Sequence, residues 1–203
     1  MRTSKTDPIR VDFLDPADLG LPGRLGLTLA PGKKDPAGGW DRDLDSDLER
    51  LHTYYKVDRL VSLMEPHEYR LLKIAHLSER ASHHGIAVRR FPIPDVDAPP
   101  PASMGRFLAL VRAILNNVDA GKTVVIHCRG GIGRSGLVAA SCLVALGHPP
   151  TEAIDRVRSA RPGAVEAAVQ ERWVEAVAQR LNAKPPYWWR RRGRGAARDG
   201  GSR

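Results

Sequence analysis

Short apolar runs alternate along the chain with longer segments whose apolar residues recur every three or four positions. Arg24–Leu29, Val57–Leu63, Ile86–Phe91 and Thr123–His127 read as strands, and the last of these is apolar from Val124 to Ile126. Leu44, Leu48, Leu51 and Tyr55 share one face of a helix over 41–55. Pro66 opens a helix that runs to about His84, where Gly85 supplies a stop. Ser103 stands where an N-cap belongs, before a helix that carries Phe107, Val111, Ile114, Leu115 and Val118 on one side. From Arg134 to Leu146 the chain is apolar nearly all round, as a buried helix should be. Two further helices follow, over about 151–160 and 164–181; the second shows Val165, Val169, Trp173, Val177 and Leu181.

Alternating strands and helices predict an α/β fold with a central, mainly parallel sheet of four to five strands flanked by helices. Residues 1–20 are polar, contain Pro8 and Pro16, and read as an N-terminal arm. The folded domain is expected over 21–182, and 183–203 reads as a disordered basic tail. Lys33 and Lys34 lie in a Pro/Gly loop, where they are either solvated or steer an anionic substrate. Pro92–Pro101 holds five prolines in ten residues, which excludes regular structure.

Composition narrows the setting. The formal net charge of the 203-residue chain is +9. Residues 184–203 carry seven basic side chains against Asp199 alone, so about +6 of it is confined to the tail and the body is only mildly basic. Basic charge of that kind does not indicate a nucleic-acid-binding domain. No apolar run approaches a membrane span, and the N-terminal residues lack the apolar core of a secretory signal. Two cysteines do not make a disulfide framework, so a reducing, cytoplasmic setting is expected.

The chemistry concentrates in His127-Cys128-Arg129-Gly130-Gly131-Ile132-Gly133-Arg134-Ser135, between the apolar strand and the apolar helix. A thiol attacks phosphorus only as a thiolate, which requires fixed positive charge around it. Three glycines within Arg129–Gly133 let successive N–H groups turn inward as an anion nest, to which the helix start adds the positive end of its dipole. Phosphate binding is thereby expected of Arg129, Gly130, Gly131, Ile132, Gly133 and Arg134, with Arg134 as a planar fork for two oxygens. Ser135 is positioned by sequence to donate to the Cys128 sulfur, and His127 to hydrogen-bond backbone and hold the loop. A leaving phenolate or alkoxide needs a proton. Asp95 and Asp97 lie in the proline-rich loop after a strand, and Asp95 is the favoured acid.

This nonapeptide resembles the HCx5R[ST] signature of the cysteine-dependent protein phosphatases, the tyrosine and dual-specificity enzymes. Ile93-Pro94-Asp95 is similar to the general-acid segment of their compact members. The resemblance extends to Leu27–Lys34 and Arg161–Val165, covers roughly residues 20–182, and is strongest toward the kinase-associated dual-specificity phosphatases and their bacterial relatives. It implies a two-step reaction in which Cys128 takes the phosphoryl group and water then releases it with Asp95 as base. It implies a phosphorylated protein or peptide substrate, an oxyanion in the site, and neither metal nor organic cofactor. The acid follows Ile-Pro here, whereas in larger tyrosine phosphatases it follows Trp-Pro, so only the acid role carries over. Gln170 is a candidate for the water-positioning glutamine of some relatives.

Rival readings are a phosphoinositide or small phosphate-ester phosphatase, and a catalytically silent phosphate-binding adaptor that docks through its tail. Tyr187-Trp188-Trp189 beside Arg190–Arg192 also suits weak contact with an anionic surface. Cys142 reads as a small core residue, with a disulfide to Cys128 as the sharper alternative. His83-His84 suit a helix C-terminus better than a metal pair.

Overall fold

The computed structural model describes residues 1–183; the basic segment 184–203, and any anionic surface it meets, lie outside the described residues. The strands are β1 (Asp12–Phe13), β2 (Arg24–Thr28), β3 (Lys34–Asp35), β4 (Trp40–Asp41), β5 (Arg59–Ser62), β6 (Ala87–Arg90) and β7 (Thr123–His127). The helices are α1 (Pro16–Leu19), α2 (Leu44–Thr53), α3 (Pro66–Leu71), α4 (Leu77–His83), α5 (Met104–Asp119), α6 (Gly133–Leu146), α7 (Pro150–Ala160) and α8 (Ala168–Ala183). Five strands form a sheet in the order β1-β2-β7-β5-β6, parallel except for β1.

Strand β7 is central and buried on both faces. Val124 and Ile126 point into the larger core under α5 to α8, whereas Val125 points to the smaller one with Leu48 and Leu51 of α2 and Ala81 of α4. This is the period-two alternation of a strand between two helical layers. The parallel registers place Thr28 of β2 and Ser62 of β5 beside His127. The carboxyl ends of these strands are therefore level, and the loops that leave them meet on one side of the sheet. In open α/β sheets that is where ligands bind.

Four local readings change. The segment before residue 20 is no arm: Ile9, Val11, Leu14 and Leu19 are buried and β1 adds an edge to the sheet. It is tied down by Arg42, which donates to the Asp7 carbonyl at 2.7 Å, and by Arg50, which donates to the Ile9 carbonyl at 3.0 Å. The stretch 66–84 is two helices, because the chain turns through Lys73 at φ 57° and buries Ile74. Ser103 makes no side-chain cap; its hydroxyl donates to the Pro100 carbonyl at 2.6 Å. The Pro/Gly loop folds into the β3–β4 hairpin, and Lys33 within it is buried rather than solvated. Lys34 remains half-exposed and pairs with Asp41 at 2.9 Å.

Candidate active site

Each parallel strand end delivers one part of the site. After β7, Cys128 sits at the base of the loop and is 3 % exposed. The Gly131 N–H donates to its Sγ at 3.2 Å. Gly131 holds φ 70°, and a Cβ there would stand 2.2 Å from the Thr28 carbonyl oxygen, so the loop presses against the end of β2 with no room for a side chain. At Gly133 a Cβ would come within 2.0 Å of Glu166 Oε1 and 2.8 Å of Gln170 Nε2. Among the described residues, the N–H groups of Arg129, Gly130 and Ile132 have no acceptor. Helix α6 starts without a side-chain cap, so its first N–H groups are also open to an anion.

Arg134 is buried, with 1 % of its surface exposed. The end of its fork is occupied: Nη1 donates to Glu68 Oε2 at 2.6 Å and Nη2 to Glu68 Oε1 at 2.8 Å. Nη1 also donates to the Ile93 carbonyl at 3.1 Å. The side edge is different, since Nε is buried with no partner among the described residues, while Nη2 makes an ion pair with Asp95 Oδ1 at 2.7 Å. Burial opposes the charge on Arg134, but the Glu68 bond together with Cys128, Glu68 and Asp95 outweighs it and raises its pKa. Burial likewise opposes the charge on Glu68, and the bonds from Arg134 and from the Glu65 N–H bring its pKa below the ordinary value. Two oxygens of a tetrahedral phosphoryl dianion therefore have the planar Nε–Nη2 edge to bind, and taking it displaces Asp95 from Nη2.

Glu68 was not singled out by sequence reading. It lies on α3 after β5, fixed by a reciprocal capping box with Glu65. The signal was there in Glu65-Pro66-His67-Glu68, the pattern of a helix start, but it carries no hint of a partner 66 residues away.

Asp95 leaves the end of β6, 45 % exposed at the side chain, and is brought to Arg134; Asp97 is not. The Asp97 carboxylate accepts from the Ala98 N–H at 2.7 Å, and its carbonyl accepts from Gln170 Nε2 at 3.3 Å. Gln170 is fully buried, and its other amide atom has no partner among the described residues. Ser135 is also fully buried, but its hydroxyl has no partner among the described residues; Gly131 N–H, not Ser135, meets the sulfur. Cys142 is buried in α6, where burial raises its pKa. Both cysteines are free, and nine residues of helix from Gly133 place Cys142 about 13 Å along the axis, beyond disulfide reach. His84 meets Asp45 at 3.2 Å, which occupies the imidazole.

His127 is fully buried, and its Nδ1 lies 3.3 Å from the Cys128 carbonyl, to which it donates as the neutral tautomer. Burial pushes its pKa down to about 4, helped by Arg134 and resisted by the Cys128 carbonyl. The unfolded chain then binds more protons than the folded one between about pH 4 and 6.5, so stability rises with pH across that window. Urea unfolding between pH 4 and 7 should show a loss of roughly 3 kcal/mol as pH falls through it. In His127→Gln that part of the slope should vanish, and an unchanged slope would assign the acid sensitivity to other groups.

Comparison with known proteins agrees with this geometry. The family described as "Polymorphic toxin system, DSP-PTPase phosphatase" matches residues 44–148. The chain is 30% identical over 179 residues to cyclin-dependent kinase inhibitor 3 of Sus scrofa, covering 87% of this chain and 82% of that protein. It is 33% identical over 105 residues to protein tyrosine phosphatase type IVA 3 of Mus musculus, covering 51% and 60%. Among solved structures, a kinase associated phosphatase with its catalytic cysteine replaced by serine superposes with a TM-score of 0.78 at 25% identity, covering 86% of this chain and 97% of that one. The active form of Tk-PTP gives a TM-score of 0.66 at 30% identity, covering 84% and 97%. The chain belongs to the DSP-PTPase family of cysteine-dependent tyrosine and dual-specificity protein phosphatases.

Proposed function

We propose that this enzyme hydrolyses phosphotyrosine in proteins through Cys128, Arg134 and Asp95, in a reducing compartment such as the cytoplasm. The observation that carries the assignment of roles is the Arg134 fork: its end is locked on Glu68, its Nε is unpartnered, and its remaining Nη2 edge is held by the loop acid. A phosphoryl group that takes the Nε–Nη2 edge lies over the glycine loop and Cys128, and it releases Asp95, whose half-exposed carboxylate takes a proton from solvent. The Cys128 thiolate then attacks phosphorus in line, the phosphorus–oxygen bond to the tyrosine breaks, and the departing phenolate takes the Asp95 proton. In the second step water attacks phosphorus and gives its proton to Asp95. The phosphorus–sulfur bond breaks, which restores the thiolate and frees inorganic phosphate. The loop N–H groups and Arg134 hold the equatorial oxygens in both steps. Gln170 joins the acid loop to the neighbourhood of Gly133, and so sets where the loop rests.

Because Asp95 acts on the leaving group, its removal should matter most where that group is basic. Asp95→Asn is expected to lower kcat/KM on a phosphotyrosine peptide by about 10²-fold and on p-nitrophenyl phosphate by much less, while Asp97→Asn discriminates little. Equal losses on both substrates would remove Asp95 from the acid role. A panel of phosphotyrosine, phosphoserine and phosphoinositide substrates tests the substrate class. Better turnover of either of the last two would overturn the phosphotyrosine assignment.

A further inference from the structure

We propose that Lys33 and Arg129 form a subsite for a second anionic group on the phosphopeptide substrate, next to the phosphorylated residue, with Asp35 occupying it in the free enzyme. This rests on the phosphopeptide reading above and concerns the same site.

Lys33 is 7 % exposed, in the loop that leaves β2. That loop runs along the nucleophile's own loop, since the Ala30 N–H donates to the Arg129 carbonyl at 3.4 Å. An ammonium has three protons to place. Among the described residues the Lys33 Nζ makes no hydrogen bond, and its nearest carboxylate oxygen, Asp35 Oδ2, is 3.8 Å away. That same oxygen is already bonded to Arg129 Nη2 at 3.1 Å. One carboxylate is thus shared by two cations, and the arginine gets the hydrogen bond. Arg2, stacked on Trp40 at 3.8 Å, adds a third positive charge to the cluster, and Lys33 itself lies 5.2 Å from the Trp40 ring centre. Cover for Trp40 would account for the lysine's alkyl stem but not for setting its ammonium beside Asp35 and Arg129, because a lysine stem can be buried with its head group turned away into open solvent. Here burial lowers the lysine's pKa, although Asp35 and Cys128 favour the charge. The Asp35 carboxylate is held below its ordinary pKa, mainly by the Arg129 bond and then by the Gly38 N–H, so it stays ionised as the resident anion.

Arg129 follows the nucleophile directly, so the subsite begins one residue from the bound phosphoryl group. Neighbouring residues of an extended peptide advance about 3.3–3.6 Å each, which lets a side chain next to the phosphotyrosine reach it. A carboxylate or phosphate there would give Lys33 an acceptor and compete with Asp35 for Arg129, with the phosphate the stronger competitor.

The test compares kcat/KM on three phosphotyrosine peptides that differ at one adjacent position: alanine, glutamate or phosphoserine. Wild type should prefer the glutamate peptide over the alanine peptide by about tenfold, and the phosphoserine peptide by more. Lys33→Met should bring the ratios close to one, and Asp35→Asn should raise them above wild type. Each ratio is taken on a single protein preparation, so a reduced folded fraction cancels. Wild-type ratios near one with all three peptides turned over, or ratios that survive Lys33→Met, would overturn the subsite. No turnover of any peptide alongside hydrolysis of p-nitrophenyl phosphate would instead overturn the phosphopeptide reading beneath it.

Discussion

Cys128→Ser should lower turnover of p-nitrophenyl phosphate by at least ~10⁴-fold while inorganic phosphate still raises the melting temperature. A serine hydroxyl titrates far above a thiol and is not a nucleophile at neutral pH, so the step that forms the phosphoenzyme is lost. Binding rests on other groups: the open N–H groups of Arg129, Gly130 and Ile132, the α6 start, and the Arg134 side edge. Among the described residues the Cys128 sulfur accepts a single hydrogen bond, from the Gly131 N–H, which a serine oxygen can also accept, so the loop should hold its shape. Residual turnover within about tenfold of wild type would remove Cys128 from the nucleophile's role. Loss of phosphate stabilisation would show instead that the sulfur holds the loop together.

Glu68→Gln should cost about 3–5 kcal/mol of stability in urea unfolding, because it leaves a buried guanidinium with half its countercharge removed. Both ends of the Arg134–Glu68 pair are almost fully buried, at 1 % and 3 % side-chain exposure, so solvent cannot compensate. Activity should fall as well, by about 10²-fold in kcat/KM, since the fork would lose the bidentate hold that aims its side edge at the substrate. Among the described residues Asp95 becomes the only carboxylate on Arg134, and its hold on Nη2 should tighten against incoming phosphate. The variant should therefore bind phosphate more weakly, although the site has lost a negative charge. Tighter phosphate binding at unchanged stability would mean that Glu68 acts only as an opposing charge.

Much of this was legible in the sequence. The strand Thr123–His127, the glycine turn and the apolar helix after it are local in pattern, and their chemistry is local too: a thiol, a nest and a helix dipole within nine residues. Asp95 was legible because a proline-rich loop after a strand must leave the sheet at its carboxyl end. Lys33 shows where such reading fails. A Pro/Gly loop with two adjacent lysines looks solvated, and only its packing in the β3–β4 hairpin, with Trp40 and Asp35 beside Lys33, buries one and leaves the other outside. The N-terminal segment was misread for a similar reason. Its apolar residues, Ile9, Val11, Leu14 and Leu19, follow no helical or strand period long enough to register, and arginines of α2 and the chain before it fasten its carbonyls.

By itself the sequence determined the order of the four parallel strands and of the long helices among them, the position of the nucleophile between a buried strand and a buried helix, and the reaction those residues can perform. The tertiary structure decided which carboxylates attend Arg134: Glu68 behind it, Asp95 on its working edge, and Asp97 turned to its own backbone. It also gathered Lys33, Asp35 and Arg129 into one cluster. The physical reason is range. Hydrophobic periodicity and turn chemistry act over a few residues and leave a trace in order, whereas ion pairs between strand ends depend on sheet register, which no single segment specifies.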